Sequence, residues 1–443
     1  MKNLLKNLSL SPFLKLVPKR DEVIEKASDE PAKEPKDFRA NRIARALHPE
    51  VQHLKVTKVI TENSNVKSFI LEPDVLEGTG QLAYFLPGQY LSVTVQIGNG
   101  TYSRPYSIAS SPDEAISFSQ DKDIASSSNE AISFSQDKDR ISPGYYMLSI
   151  ARKKGGMVSN FILDNWEVGT RVLASAPLGE FVFEPLRDSS KVIAIAGGSG
   201  ITPIRSMVKD FVNKKLKGDS IIDEITLIYG TKSPEDALYT EEFVHLSKEC
   251  NSFKIVSVYD TELPSENILN SDSEENENRF YETGLVSSKV IDKYTPCDQY
   301  SVFVCGPSLM HGFISEEVPK LTAAPRSVRY EFNSIKEEDN VPVRQYEIIL
   351  RRNPVDALNY PENEREISVK CHSNQTILSA LEEYSLAGGS HCRSGICGWC
   401  RTKIISGEVY VCPDNDGRRI ADYEYGYIHP CATFPRSDCV IER

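Results

Sequence analysis

Hydrophobic and polar positions along the 443-residue chain change their rhythm twice. From about Leu54 to Glu184, the runs "LKVTKVI", "VKSFILEP", "QYLSVTVQI", "RPYSIAS", "YYMLSIAR" and "RVLASAPLGEFVFEP" are short and separated by Gly, Pro, Asn and Asp. Such segments read as strands, and six in succession predict an antiparallel barrel. From about Ser190, apolar strands end in glycine turns and pass into helical periodicity: "KVIAIAGGSGITPIRSMVKDFV", then "EITLIYG", "FKIVSVYD" and "YSVFVCGPSLMHGFI". This alternation predicts a parallel sheet flanked by helices. A charged connector, "VRYEFNSIKEEDNVPVRQ", leads to strands "YEIILRR" and "EISVKCH", a helix "TILSALEEYSL" and a cysteine-rich loop. These form a third, small α+β domain.

Residues 1–50 read as an N-terminal extension and linker, 51–187 as the barrel, 188–335 as the α/β domain and 344–443 as the α+β domain. Residues 108–139 hold a sixteen-residue stretch written twice, "IASSPDEAISFSQDKD" and "IASSSNEAISFSQDKD". Two copies are too few for a solenoid, and extra length in a surface loop costs only about 1 kcal/mol of closure entropy. The doubling is read as a duplication within a barrel connection, with a small hairpin or lid as the alternative. The polar, acidic stretch 261–280 is expected to be a solvated loop.

A net charge of -12 leaves no basic footprint for nucleic acid. No stretch approaches the roughly 18 uninterrupted apolar residues of a membrane span. The start, "MKNLLKNLSLSPFLKLVPKR", lacks a signal cleavage site, so the cytoplasm is expected, with peripheral membrane contact through residues 1–20 as a minor alternative.

Four of the ten cysteines fall between Cys392 and Cys412. "HCRSGICGWC" spaces Cys392, Cys397 and Cys400 as C-x4-C-x2-C, the spacing of a plant-type 2Fe-2S ferredoxin. Gly395 and Gly398 allow the positive φ angles and close backbone approach that amides directed at sulfur require. Zinc also takes four thiolates, but usually from paired C-x2-C units. Cys431, Cys412 and Cys439 all lie downstream as possible fourth ligands. Cys431 is preferred because the tail "CATFPRSDCVIER" resembles the ferredoxin ending, in which the fourth ligand precedes a final edge strand. Cys250, Cys297, Cys371, Cys412 and Cys439 are expected to be buried small apolar residues.

"SRPYSIAS" offers a cation, an aromatic ring and a hydroxyl in Arg104, Tyr106 and Ser107, and alternation sends Arg104 and Tyr106 to one face. In "RKKGGMVSNFI", Gly155, Gly156 and Ser159 open a helix whose free N–H groups suit a pyrophosphate. "AIAGGSGITPI" and "VFVCGP" end apolar strands where a sheet crevice would hold a nucleotide.

In this order the motifs resemble the ferredoxin-NADP reductase superfamily over roughly residues 52–335, and a plant-type ferredoxin over about 344–443. The combination is similar to reductases that feed oxygenases and to hybrid-cluster-protein reductases. The resemblance implies a flavin-binding barrel, an NAD(P)-binding domain and a β-grasp 2Fe-2S domain. It implies that Arg104 holds the flavin phosphate, Tyr106 packs on the isoalloxazine and Ser107 hydrogen-bonds near N5, with Pro105 between them. Gly156, Met157, Val158 and Ser159 would clasp the diphosphate. Gly197, Gly198, Gly200, Thr202 and Pro203 would shape the nucleotide pocket, with Cys305, Gly306 and Pro307 beside the nicotinamide. Ser107 and Cys305 are the expected catalytic residues. Lys232 in "IYGTKSPED" could meet a 2'-phosphate, but the family's frequent arginine is absent and NADH against NADPH stays open. FAD is expected ahead of FMN.

Nicotinamide gives its electrons as a pair and a 2Fe-2S cluster takes them singly, so a flavin must stand between them. The expected function is therefore an NAD(P)H-dependent reductase passing electrons through FAD and the cluster to a protein acceptor. The alternatives are a redox-sensing subunit or an assembly subunit of a larger electron-transfer complex. The seven scattered histidines form no cluster, and His311 and His391 are read as structural.

Overall fold

The computed structural model describes residues 49–117, 144–260, 276–295, 299–332, 342–353 and 365–443, with isolated residues elsewhere. The second copy of the duplicated stretch, most of the acidic segment, Cys297 and nearly all of the N-terminal extension lie outside the described residues. Residues 1–46 form a separate unit, in which Lys26 pairs with Glu22 at 2.6 Å.

The first sheet is antiparallel. Its strands are β1 (Gln52–Thr61), β2 (Val66–Pro73), β3 (Tyr90–Ile97), β4 (Gly100–Ser107), β5 (Tyr146–Ala151) and β6 (Arg171–Ala174), in the order β4-β3-β6-β1-β2-β5. The outer strands approach each other where Ile108 bridges Leu148, which curls the sheet toward a barrel. Alternation along the strands sends Leu54, Val56, Leu91, Val93, Leu148 and Val172 into one buried cluster. Helix α1 (Pro112–Ser117) follows β4, and α2 (Met157–Asn165) follows β5 and buries Val158 and Ile162 in the same cluster. The expected sixth strand is short, ending at Ala174, although the chain keeps beside β3 as far as a bridge between Leu178 and Tyr90.

The second sheet is wholly parallel: β7 (Lys191–Gly197), β8 (Glu224–Thr231), β9 (Phe253–Tyr259), β10 (Arg279–Thr283), β11 (Ser301–Gly306) and β12 (Ser327–Phe332), in the order β10-β9-β8-β7-β11-β12. Helices α3 (Ile201–Lys217), α4 (Thr240–Glu249), α5 (Ser288–Tyr294) and α6 (Ser308–Glu317) accompany it. Apolar clusters cover both faces, which is why β7, β8 and β11 read as near-continuous apolar runs. Part of the expected connector is strand β12. Its Val328 and Tyr330 pack on the cluster that holds Val302 and Val304, while Arg329 bonds Asp188 at the start of the sheet.

The C-terminal layer comprises β13 (Gln345–Arg351), β14 (Glu366–His372), α7 (Ile377–Glu383), β15 (Thr402–Ser406), β16 (Val409–Val411), α8 (Ile420–Glu424), β17 (Tyr427–Ile428), β18 (Thr433–Pro435) and β19 (Cys439–Glu442). The order β14-β13-β19-β15-β17 corrects one expectation, since the last strand is central rather than an edge. It runs parallel to β13 and antiparallel to β15, and Cys439 and Ile441 are buried between them. No described helix is long and apolar enough to cross a membrane.

Candidate functional site

The cluster loop is built by backbone that only particular residues tolerate. Arg393, Gly395 and Gly398 take φ of 51°, 79° and 71°. A side chain at Gly395 would stand 1.9 Å from the Asn415 carbonyl oxygen, so that turn admits glycine alone. The loop thereby turns amides onto sulfur: Ser394 N–H and Cys397 N–H donate to Cys392 Sγ at 3.4 Å, and Trp399 N–H donates to Cys397 Sγ at 3.5 Å.

The Cys392 and Cys397 thiols are in hydrogen-bonding contact, as are those of Cys400 and Cys431, and Cys392 also reaches Cys431. Hydrogen bonds from the neighbouring thiols and amides hold Cys392 far below the usual thiol range. Among the described residues no three His, Cys, Asp or Glu side chains converge on one metal position. Two joined pairs of thiols fit a two-iron cluster, in which each iron takes two protein thiolates. The other two candidates for the fourth ligand stand apart from this set. Cys439 donates to the carbonyls of Ser437 and Glu408, and Cys412 is buried ahead of the Pro413–Asn415 turn.

Two residues that spacing did not single out brace this loop. His429 Nδ1 meets the Gly395 carbonyl at 2.5 Å, and Asn415 donates to the Ser394 carbonyl at 3.2 Å. His391 stacks on Trp399 with ring centroids 4.2 Å apart. The outer side of the loop is open: Cys397 is exposed, Ile396 is 49% exposed and Trp399 is 60% exposed.

The inner side lies against the barrel. Arg104, Pro105, Tyr106 and Ser107 close β4, and Ser107 sits opposite Tyr90 of β3 in register. The charged neighbours of the Tyr90 phenol are Cys392, Cys397, Cys431 and Glu331, which brings the end of β4, the cluster loop and β12 to one place. Burial, with the Cys392 charge adding to it, pushes Glu331 up to about 8. Ser92 donates to the Ser390 carbonyl at 2.6 Å along the same seam. Tyr106 packs on the barrel core, and Arg104 Nη1 donates to the Ser103 carbonyl at 2.8 Å and to both carboxylate oxygens of Glu382.

Gly156 caps α2 without a side-chain bond, leaving the first N–H groups for a phosphate. A side chain at Gly156 would stand 2.7 Å from Ser159 Oγ and 2.9 Å from Lys153 Cβ, so the turn is tight. Val158 is buried beneath this turn and Met157 is exposed beside it. Helix α2 packs against β3 and β5, the neighbours of β4 on either side of the barrel seam.

The nucleotide motifs converge at the carboxyl ends of β7 and β11, the point where strand order reverses. The Gly197–Gly200 turn and the Cys305–Pro307 turn touch so closely that a side chain at Gly200 would stand 2.3 Å from the Cys305 carbonyl oxygen. Thr202 donates to the Ser199 carbonyl at 2.8 Å, Pro203 is buried behind it, and Tyr229 donates to the Gly198 carbonyl at 3.0 Å. His311 Nε2 accepts the Gly306 N–H at 3.1 Å, and burial lowers this imidazole to about 4, so it supports the turn as a neutral ring. Lys232 is exposed just past the end of β8, on the same edge of the sheet. The Cys305 side chain is fully buried in the core with Ile201 and Phe303.

The fold is of the ferredoxin-NADP reductase type, an antiparallel barrel followed by a parallel sheet, with a C-terminal 2Fe-2S ferredoxin domain. Residues 194–316 match the oxidoreductase NAD-binding domain, and residues 361–436 match the 2Fe-2S iron-sulfur cluster binding domain. The chain is 23% identical over 404 residues to a glycine betaine monooxygenase reductase subunit of Chromohalobacter salexigens, covering 88% of this chain and 95% of that one. It is 24% identical over 408 residues to the subunit of the same name in Pseudomonas aeruginosa, with the same coverage. The solved structure of phthalate dioxygenase reductase shares the fold with a TM-score of 0.57 at 21% identity, covering 89% of this chain and 98% of that chain. The two matched domains provide for a nicotinamide nucleotide and a 2Fe-2S cluster, and the phthalate dioxygenase reductase structure is described as a modular one for electron transfer from pyridine nucleotides to 2Fe-2S.

Proposed function

We propose that this chain is the reductase component of an oxygenase system, delivering electrons singly from NAD(P)H to a terminal oxygenase protein. When bound, the flavin takes an electron pair as hydride and the cluster accepts the electrons one at a time. The chain's own residues bind, orient and insulate. Arg104 and the open N-terminus of α2, with Gly156, Met157, Val158 and Ser159, hold the flavin's phosphates. Tyr106 supports the ring, and Ser107 offers its hydroxyl at the end of β4. Gly197, Gly198, Gly200, Thr202, Pro203, Gly306 and Pro307 shape the crevice for the nicotinamide nucleotide, with Cys305 as a wall. Cys392, Cys397, Cys400 and Cys431 hold the iron. The neutral His311 keeps the crevice turn in place without adding charge.

The observation that carries this reading is the two-sidedness of the cluster loop. One side is bonded through the Ser390 carbonyl to Ser92 of β3, the strand paired with the one that ends at Ser107, and the other presents Ile396, Cys397 and Trp399 outward. The printed names of the relatives, which are reductases of a monooxygenase and a dioxygenase, support an oxygenase as the acceptor. On this reading the protein works where NAD(P)H is supplied, in the cytoplasm. The test mixes purified holoprotein and NADH or NADPH anaerobically with a panel of purified monooxygenase and dioxygenase terminal components, with cytochrome c as a general one-electron acceptor. The expected result is reduction of at least one oxygenase component, weakened by Trp399→Glu. Reduction of cytochrome c with no oxygenase accepting electrons would overturn the proposal.

A further inference from the structure

The interior of the seam between barrel and cluster loop holds a charge arrangement that neither binds iron nor faces the nucleotide crevice. Glu382, near the end of α7, has a side chain only 1% exposed. Its two oxygens accept from Arg104 Nη1 at 3.0 and 2.9 Å. Its Oε1 also accepts from Arg393 Nη1 at 2.7 Å and from the Ser103 N–H at 3.2 Å. Arg104 belongs to β4, whereas Arg393 directly follows the ligand Cys392. One buried carboxylate therefore joins the strand expected to hold the flavin to the loop that holds the cluster. Arg393 is further held by Ser379 Oγ at 3.0 Å.

The charges make this arrangement sensitive. Two guanidinium groups share a single carboxylate, and each is the other's like-charged neighbour. Removing the negative charge leaves two partly buried cations facing one another, and in Glu382→Gln both compete with the Ser103 amide for the one oxygen that remains. Such a pair relaxes by moving apart, and the parts that move are β4 and the cluster loop.

We propose that Glu382 is a positioning residue for the step between flavin and cluster, fixing the separation of β4 and the cluster loop by holding Arg104 and Arg393 on one carboxylate. The proposal rests on the electron path from flavin to cluster given above. It separates two steps that share one flavin: hydride arrival depends on the crevice at β7 and β11, which Glu382 does not touch, whereas electron departure depends on the seam.

The test is anaerobic rapid mixing of holoprotein with NADH, following flavin bleaching and cluster reduction separately, for the native chain, Glu382→Gln and Glu382→Asp. In Glu382→Gln, bleaching stays within about twofold of native and cluster reduction slows about tenfold to a hundredfold, the range expected for a small misplacement. The reduced-cluster paramagnetic signal of the fully reduced variant keeps its native form. Hydrogen exchange at the Ser103 amide accelerates, a readout independent of turnover. Glu382→Asp, which keeps the charge, recovers part of the rate. If Glu382→Gln assembles no cluster, Glu382→Asp carries the test: slower cluster reduction with native bleaching supports the proposal. As a control, Ser385→Ala removes bonds to Asn99 O and Thr101 Oγ on the same seam but no charge, and is expected to leave both rates near native. Unchanged cluster reduction in the Glu382 variants, or equal slowing of both steps, overturns the role of Glu382. A native protein whose cluster never reduces overturns the functional reading as well.

Discussion

At the scale of single residues, the thiols divide by what they touch. Cys431 reaches Cys400 and Cys392, while Cys439 bonds backbone carbonyls on the far side of its strand. Cys431→Ser is therefore expected to abolish the 2Fe-2S absorbance and paramagnetic signal, while Cys412→Ala and Cys439→Ala retain stoichiometric iron. Loss of iron in the Cys439 variant would instead make that thiol a ligand. His429→Ala removes the only side-chain brace on the Gly395 carbonyl described here and is expected to speed iron loss to a chelator about tenfold, the scale of other outer-shell changes at metal sites. The C-x4-C-x2-C spacing was legible because three ligands share one loop. His429 was not, because nothing in a sequence says that a residue 34 positions away will turn toward Gly395. Glu382 and Arg104 are 278 positions apart, and no local pattern marks either as the other's partner.

Elements hold each other through a second buried network, between α1 and the helices of the parallel sheet. Arg205 on α3 bonds Glu114 of α1 at 3.0 Å, Glu242 of α4 at 2.6 Å and the Ala109 carbonyl at 2.7 Å, and Lys209 reaches both carboxylates. Glu114 lies in the first copy of the duplicated stretch, so residues 108–114 of this copy are part of the packed structure. Arg205→Ala leaves two carboxylates on one lysine and is expected to cost about 3 kcal/mol, read as a lower thermal midpoint. Burial alone would raise the Glu114 carboxyl, but Arg205 and Lys209 outweigh it and hold it below its ordinary value. A carboxyl lowered on folding stabilises the folded chain above the ordinary carboxylate range, and the contribution disappears as acid protonates it. Unfolding midpoints measured from pH 7 down to pH 3 are expected to fall more steeply for the native chain than for Glu114→Gln; parallel curves would remove this role. The six barrel strands were visible in their alternation. Strand β12 was hidden in a charged stretch, because Arg329 is a buried charge paired with Asp188 across the fold and burial favours the neutral form of Glu331. The central place of β19 was hidden because a four-residue strand carries no signal of which neighbours it will find.

For the whole molecule, the three larger sheets place one strand end, one cluster loop and one sheet crevice beside each other. The sequence pattern located the layers, since each has its own period. Their mutual arrangement depends on long-range charges such as Glu382, Arg205 and Arg329, which period cannot reveal. The arrangement implies a fixed order of reduction, with the flavin between the nucleotide crevice and the iron. An anaerobic titration of the holoprotein with NADH and with NADPH, followed by visible absorbance and electron paramagnetic resonance, tests that order most directly. The predicted result is flavin bleaching with one coenzyme at low concentration, accompanied by a reduced-cluster signal that vanishes in Cys431→Ser while bleaching persists. Bleaching without any cluster signal in the native protein, or zinc in place of iron on metal analysis, would contradict the account.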